Sequence, residues 1–332
     1  MRIPPPREDG HTTTTPVPLY WCAYGRVGAP RLLVLHGGPG AHHDYLLPQM
    51  LRLAEEGFEL VLYDQRGGGR SKTDDRAPIT WRTHVDDLAL VCRELGFERP
   101  TVVGYSWGAL LALLAGVVAA GGSVHEAAEV PAPAARGAGG PPPAGESAPR
   151  APSDRHRSDA PAIPPLPRAL ALIDPAPVSR PFRDAFEAEF ARRQAGDDVR
   201  RLRDELAASG LRQRDPAAFA QRQFELAVAG YFARPERAHD LTPFRVTGRV
   251  QQQVWDSLGA FDLVPALARL RDVPSLVVHG RQDPIPLASS EAAARAMGAR
   301  LVVLDDSGHV PYVEQPEPLF TALAEFLRGD AA

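Results

Sequence analysis

Two observations predict an α/β fold, a mostly parallel central sheet with helices on both faces. Short runs of β-branched and other apolar residues alternate with longer stretches of helical period. The runs also lack polar alternation, as strands buried on both faces do. They are Arg31–His36, Glu59–Asp64, Thr101–Tyr105, Ala169–Asp174, Ser275–His279 and Arg300–Leu304. Helices are expected near 44–56, 81–96, 107–120, 288–298 and 316–328, and Thr12–Tyr24 reads as an antiparallel edge hairpin.

Two segments break this rhythm. Residues 121–167 hold eleven of the 34 prolines, six glycines and no Phe, Trp or Tyr. Such a stretch cannot bury enough apolar surface to offset the entropy of ordering, so it is expected to be a disordered insertion that the chemistry does not need. Residues 178–261 are helical in pattern, with amphipathic stretches at Phe182–Arg193, Val199–Ala208 and Pro216–Phe232. They are expected to form a helical cap over the carboxyl edge of the sheet, where open α/β sheets bind ligands. The core is then residues 12–120, 168–177 and 262–330.

Composition narrows the function classes. Hydrophobic residues make up 44%, charged residues 23%, and the net charge is −4. This is ordinary globular composition without the basic footprint of a nucleic-acid binder, so no nucleic-acid partner is expected. Every basic residue except Lys72 is Arg, which suits a GC-rich genome better than a function. Cys22 and Cys92 are too few for a disulfide framework, and Cys92 falls on an apolar helix stripe as a buried, inert thiol would. The opening MRIPPPREDG lacks an apolar signal region, and the apolar run Ala109–Ala120 is too short to span a bilayer. A cytoplasmic protein with no membrane partner is expected. Its oligomeric state is open.

Gly104-Tyr105-Ser106-Trp107-Gly108 joins the Thr101 strand to the helix after it. A serine hydroxyl attacks well only when it projects from a sharp strand-to-helix turn, with glycines two before and two after it. Ser106 is therefore the expected nucleophile, and the Trp107 N–H at the helix start would face a developing oxyanion. His36-Gly37-Gly38-Pro39-Gly40 ends another strand, and Gly38 is the expected second oxyanion donor. Asp283 and His309 follow in the order acid then histidine, each just past a strand. Both would lie on the sheet edge that carries Ser106. His309 would be the general base and Asp283 its orienting acid. Asp305 and Asp306 compete for that role but lie too near His309 in sequence to reach its far ring nitrogen. The pH–rate curve would rise at about 6 to 7, as an ordinary histidine titrates.

The pair His42-His43 lacks the helix-face spacing of a metal site, so no metal is expected. Asp44 is expected to cap the helix after it, and Arg66 to tie down its loop rather than hold substrate.

The motifs HGGPG (His36–Gly40), DQRGGGRS (Asp64–Ser71), GYSWG (Gly104–Gly108), HGRQD (His279–Asp283) and GHVPYVEQP (Gly308–Pro316) resemble those of the α/β-hydrolase fold, in its proline iminopeptidase-like branch. The resemblance covers most of the chain outside 121–167. It implies the triad Ser106, Asp283 and His309, the oxyanion pair Gly38 and Trp107, and no cofactor. It also implies an aminopeptidase releasing an N-terminal residue, such as proline, from short peptides or amides. Such enzymes hold the substrate amine with cap carboxylates. Glu187, Glu189, Glu205 and Glu225 are the candidates, Glu225 first. Tyr105 departs from the branch pattern, which has Gly there, and is a further candidate substrate contact. Val310–Pro316 resembles the wider family of esterases and C–C bond hydrolases. A carboxylesterase, lactonase or amidase of a small carbonyl compound is thus the alternative, and a non-catalytic small-ligand receptor a remote one. Ser106 excludes the members of the fold that need an aspartate nucleophile, epoxide hydrolases and haloalkane dehalogenases.

Overall fold

A computed structural model describes residues 3–74, 79–125 and 162–330. The insertion expected over 121–167 lies mostly outside the described residues.

The expected strands form one eight-stranded sheet in the order β1-β2-β4-β3-β5-β6-β7-β8. The strands are β1 Glu8–His11, β2 Tyr20–Tyr24, β3 Arg31–Leu35, β4 Glu59–Tyr63, β5 Thr101–Tyr105, β6 Ala169–Ile173, β7 Ser275–Gly280 and β8 Arg300–Leu304. From β4 to β8 every pairing is parallel; β1 and β2 add the antiparallel edge. The edge hairpin starts at Glu8, upstream of the expected Thr12. Its outer strand, Glu-Asp-Gly-His, is polar and mostly exposed, as an edge strand can be, and so has no apolar pattern to reveal it.

The continuous apolar runs are explained by their two packing surfaces. Leu33, Leu35, Val102, Leu170 and Val277 face one core, and Leu32, Val34, Val103, Ala171 and Val278 face the other. Helices α1 Trp81–Glu94 and α2 Trp107–Ala119 cover the first face. Between β6 and β7 come α3 Arg180–Gln194, α4 Asp197–Ala208, α5 Pro216–Val228 and α6 Gly248–Leu258, and the chain ends in α7 Leu287–Met297 and α8 Pro316–Asp330. The last of these packs against the second face. Residues Trp107–Val117 of α2 are all buried, which accounts for its apolar run as core. No helix among the described residues is long and apolar enough to cross a membrane.

One expected helix is broken. Residues 44–56 form three short turns, His43–Leu46, Gln49–Leu51 and Arg52–Glu55. Pro48 has no N–H to continue a helical ladder and divides them. Asp44 consequently lies inside the first turn instead of capping it, and its carboxylate accepts two bonds from Arg70 at 3.0 and 2.9 Å.

The chain crosses from β4 on one side of β3 to β5 on the other, so the crevice between the carboxyl ends of β3 and β5 is the switch point. The DQRG loop after β4 is anchored beside it. Arg66 grips Asp87 of α1 through two bonds, at 2.7 and 2.5 Å, both groups buried. The loop-tying role expected for Arg66 is what this geometry performs. Asp64, also fully buried, accepts the His43 Nδ1–H at 2.7 Å and the Arg70 backbone N–H at 2.9 Å. Burial alone would raise the Asp64 pKa, but the bond and charge of His43 hold it below the usual carboxylate range.

Asp87→Ala removes two acceptors from the buried Arg66 guanidinium and should cost about 3–5 kcal/mol, read as a lower urea midpoint at an unchanged m value.

Candidate active site

Ser106 sits at the junction of β5 and α2 with φ 53 and ψ −119, in the left-handed half of backbone space. That strain is tolerable only because the surroundings hold it in place. Its N–H donates to the Ile173 carbonyl at 2.9 Å, and its carbonyl accepts the Ala176 N–H at 3.0 Å.

The turn is crowded enough to explain the glycines. A Cβ on Gly104 would lie 2.6 Å from the Ala109 Cα, and one on Gly108 2.2 Å from the Leu35 carbonyl oxygen. On Gly37 it would meet the Ser106 Cβ at 2.8 Å. Each of these contacts is closer than carbon atoms tolerate.

Asp283 and His309 reach Ser106 from the ends of β7 and β8. The His309 Nδ1–H donates to Asp283 Oδ2 at 2.7 Å, and His309 Nε2 accepts from the Ser106 hydroxyl at 2.9 Å. The second Asp283 oxygen accepts the Ile285 N–H at 2.7 Å. Asp305, the competing acid, is exposed and engages Arg281. Asp306 is exposed as well. The three residues named from sequence thus form one hydrogen-bonded chain. Burial lowers the His309 pKa, to about 4; on Asp283 burial pushes upward, while the hydrogen bonds from Asp174 and the Ile285 N–H push back down.

Several contacts steady the histidine loop. The Tyr105 hydroxyl donates to the His309 carbonyl at 2.9 Å, and the His309 N–H donates to the Tyr231 carbonyl at 2.7 Å. Buried Glu314 accepts the Gly308 and Ala233 N–H groups at 2.7 and 3.0 Å, joining this loop to the segment after α5. Glu314 was not foreseen, although it is the acid of GHVPYVEQP.

Gly38 lines the cavity at Ser106, and Trp107 follows Ser106 as the first residue of α2. Gly38 has φ +52, and neither its N–H nor that of Trp107 has an acceptor among the described residues. Behind them, fully buried His36 donates from Nδ1 to the Gly37 carbonyl and accepts the Gln65 N–H, while Gln65 accepts the Trp107 indole N–H at 2.8 Å. The HGGPG and DQRG motifs therefore brace the β3 loop that carries Gly38 and hold the Trp107 side chain beside it.

Above Ser106 lies a cavity of about 320 Å³. Tyr45, Tyr105 and Tyr312 line it from the sheet side; Phe190 of α3, Phe224 of α5, Tyr231 and Phe244 line it from the inserted segment. Gln251 of α6 adds one amide. No carboxylate or cationic side chain lines it among the described residues, apart from the imidazole of His309. α6 falls within the helical segment expected over 178–261, and Val250, Val254 and Leu258, all buried, mark its inner face.

The expected amine-binding acids are elsewhere. Glu225 is buried, pairs with Arg222 and Gln221, and lines a separate cavity of about 270 Å³ on the other side of α5. Glu187 pairs with Arg183, and Glu189 with Arg192 and Arg193. Glu205 is exposed beside Arg201. Of the expected substrate contacts, only Tyr105 lines the Ser106 cavity.

The alpha/beta hydrolase family matches residues 32–322, and the chain belongs to that family of hydrolases. A proline iminopeptidase of Thermoplasma volcanium is 36% identical over 109 residues, covering 32% of this chain and 36% of that protein. The chain's matches to curated proline iminopeptidases span about a third of their length. Epoxide hydrolase A of Mycobacterium tuberculosis is 26% identical over 340 residues, covering 92% of each chain. The crystal structure of a proline iminopeptidase from Mycobacterium smegmatis superposes with a TM-score of 0.57 at 23% identity, covering 97% of this chain and 98% of that one.

Gly108→Ala forces a methyl group into the Leu35 carbonyl. It should destabilise the fold by more than about 2 kcal/mol or displace Ser106, so that the folded protein no longer reacts with a fluorophosphonate.

Proposed function

We propose that this protein is a serine hydrolase that forms an acyl-enzyme on Ser106 and cleaves a small uncharged ester, lactone or amide with an apolar, aromatic-sized acyl group. The observation that carries the acyl preference is the aromatic lining of the cavity above Ser106, free of carboxylates. A free α-amine is an ammonium ion at neutral pH, and this lining offers no carboxylate to pair with it once its water is stripped. An aromatic or branched acyl group gains both burial and ring contacts there.

The steps follow from the hydrogen-bonded chain. His309 takes the Ser106 proton at Nε2 as Oγ attacks the carbonyl carbon, and Asp283 stabilises the imidazolium through Nδ1–H. The oxyanion accepts the free N–H groups of Gly38 and Trp107. His309 then protonates the leaving group, and a water activated by the same nitrogen releases the acid. An aspartate-nucleophile route, as an epoxide hydrolase needs, has no aspartate at position 106.

A second reading, aminopeptidase action on short peptides, is favoured by the partial likeness to proline iminopeptidases. The two part on one panel. Aryl-acetate and phenylacetyl esters should turn over at least tenfold faster, by kcat/KM, than prolyl or alanyl arylamides; the reverse order would favour the peptidase. Under either reading, Ser106→Ala should lower kcat by on the order of 10⁴-fold or more.

The expected pH profile departs from the ordinary histidine value inferred from sequence. Burial holds the His309 pKa near 4, so the imidazole stays a free base as pH falls through 6 and 5, and the rate is lost only on approaching that pKa. The acid limb of kcat/KM should have its midpoint below about 5.5; a midpoint at 6.5 or above would count against the buried base.

A further inference from the structure

A second carboxyl group stands behind the Ser106–His309–Asp283 chain. Asp174 ends β6 at φ 40, is fully buried, and accepts the Gly280 N–H on Oδ1 at 2.8 Å. Its Oδ2 is buried with no donor among the described residues. One oxygen of Asp174, one oxygen of Asp283 and a nitrogen of His279 lie within 4.8 Å of one another.

The neighbours leave one solution for the charge. His279 is occupied, donating from Nε2 to the Ile285 carbonyl and accepting the Ser290 hydroxyl on Nδ1 at 2.9 Å, and burial keeps it neutral. This spends both ring nitrogens and argues against a metal ion among the three. Arg193 reaches the loop at the Gln282 carbonyl, and its charge acts on Asp283 together with the opposing charge of Glu314. Two carboxylates this close in a dry site do not both ionise. Asp283 already receives donors on both oxygens, from His309 and Ile285, whereas Asp174 has an oxygen to spare.

We propose that Asp174 is a positioning residue: a neutral carboxylic acid whose Oδ2–H donates to Asp283, fixing that carboxylate against His309 while adding no second negative charge. Burial and the neighbouring Asp283 charge both push the Asp174 proton affinity upward, in the same sense. An ionised Asp174 would push the His309 pKa upward, toward the imidazolium form that cannot take the serine proton. The consequence for the base rests on the serine-hydrolase reading; the location of the proton does not.

The experiment is infrared difference spectroscopy near neutral pH, in light and heavy water, with pH–rate profiles alongside. The wild type should show the C=O stretch of a protonated carboxylic acid, and Asp174→Asn should lack it. Asp174→Asn keeps a donor toward Asp283 and an acceptor for Gly280, so its acid limb should move by less than about 0.3 pH unit. Asp174→Ala, without the donor, should lose about tenfold or more in kcat with KM within about twofold. In Asp283→Asn the band should persist but shift as its acceptor changes, which decides the point if Asp174→Asn does not fold. Absence of the band in wild type, or a fall of the acid limb by about one unit or more in Asp174→Asn, overturns the proposal. The band is read without turnover, so failure of the serine-hydrolase reading would appear separately, as absent fluorophosphonate labelling of Ser106.

Discussion

The site depends on a backbone constraint at one residue. β5 must become α2 within a single step, and Ser106 makes that step at φ 53, a conformation that costs an L residue about 1–3 kcal/mol. The turn has to be enclosed to stay folded. Ile173 and Ala176 bond its backbone from one side, and Gly37 and Gly108 let β3 close in from the other. The same enclosure brings the β3 loop to Ser106, where Gly38 and Trp107 keep N–H groups unspent. Strain, glycines and free donors are three results of one requirement.

A second layer serves the first without touching a substrate. His36, Gln65 and the Trp107 indole form one buried chain. The Arg66–Asp87 pair and the Asp64–His43 pair anchor the loop that presents Gln65. Buried charges of this kind add little net stability over apolar packing, but leaving either partner unmatched is expensive. Their effect is to allow one arrangement of the loop and to penalise the rest. This explains why HGGPG and DQRG are rich in groups that look catalytic in a sequence, yet put only the Gly38 backbone into the Ser106 crevice.

The parts legible in the sequence were those governed by local rules. Strands buried on both faces must be apolar throughout, so all six parallel strands could be read within a residue or two. A nucleophile turn needs its glycines, and the acid and histidine must follow strands of the same sheet, so Ser106, Asp283 and His309 could be named together. What escaped depends on which face of an element meets which neighbour. Glu225 has the spacing of an inward acid, but the axial rotation of α5 turns it to Arg222 and a different cavity, while Phe224 beside it reaches the site. Asp174 looked like the end of a strand. Its importance comes from Asp283, more than a hundred positions away in sequence.

Motif and cavity therefore carry different information about specificity. The motifs belong to the sheet edge, where the demands of turning a strand, baring two N–H groups and aligning a base are the same for any acyl transfer. Likeness in them reports the reaction and says little about the acyl group. The wall of the cavity opposite the sheet comes from α3, α5 and α6, inserted between β6 and β7, where a step of one residue, about 100° around a helix, exchanges an acid for an aromatic ring. Here the sheet edge carries motifs like those of proline iminopeptidases, while tyrosine and phenylalanine surround the serine. Tyr105, beside Ser106, belongs to both the motif and the cavity. Its ring adds to the aromatic wall, and its hydroxyl donates to the carbonyl of His309, whose Nε2 accepts the Ser106 hydroxyl.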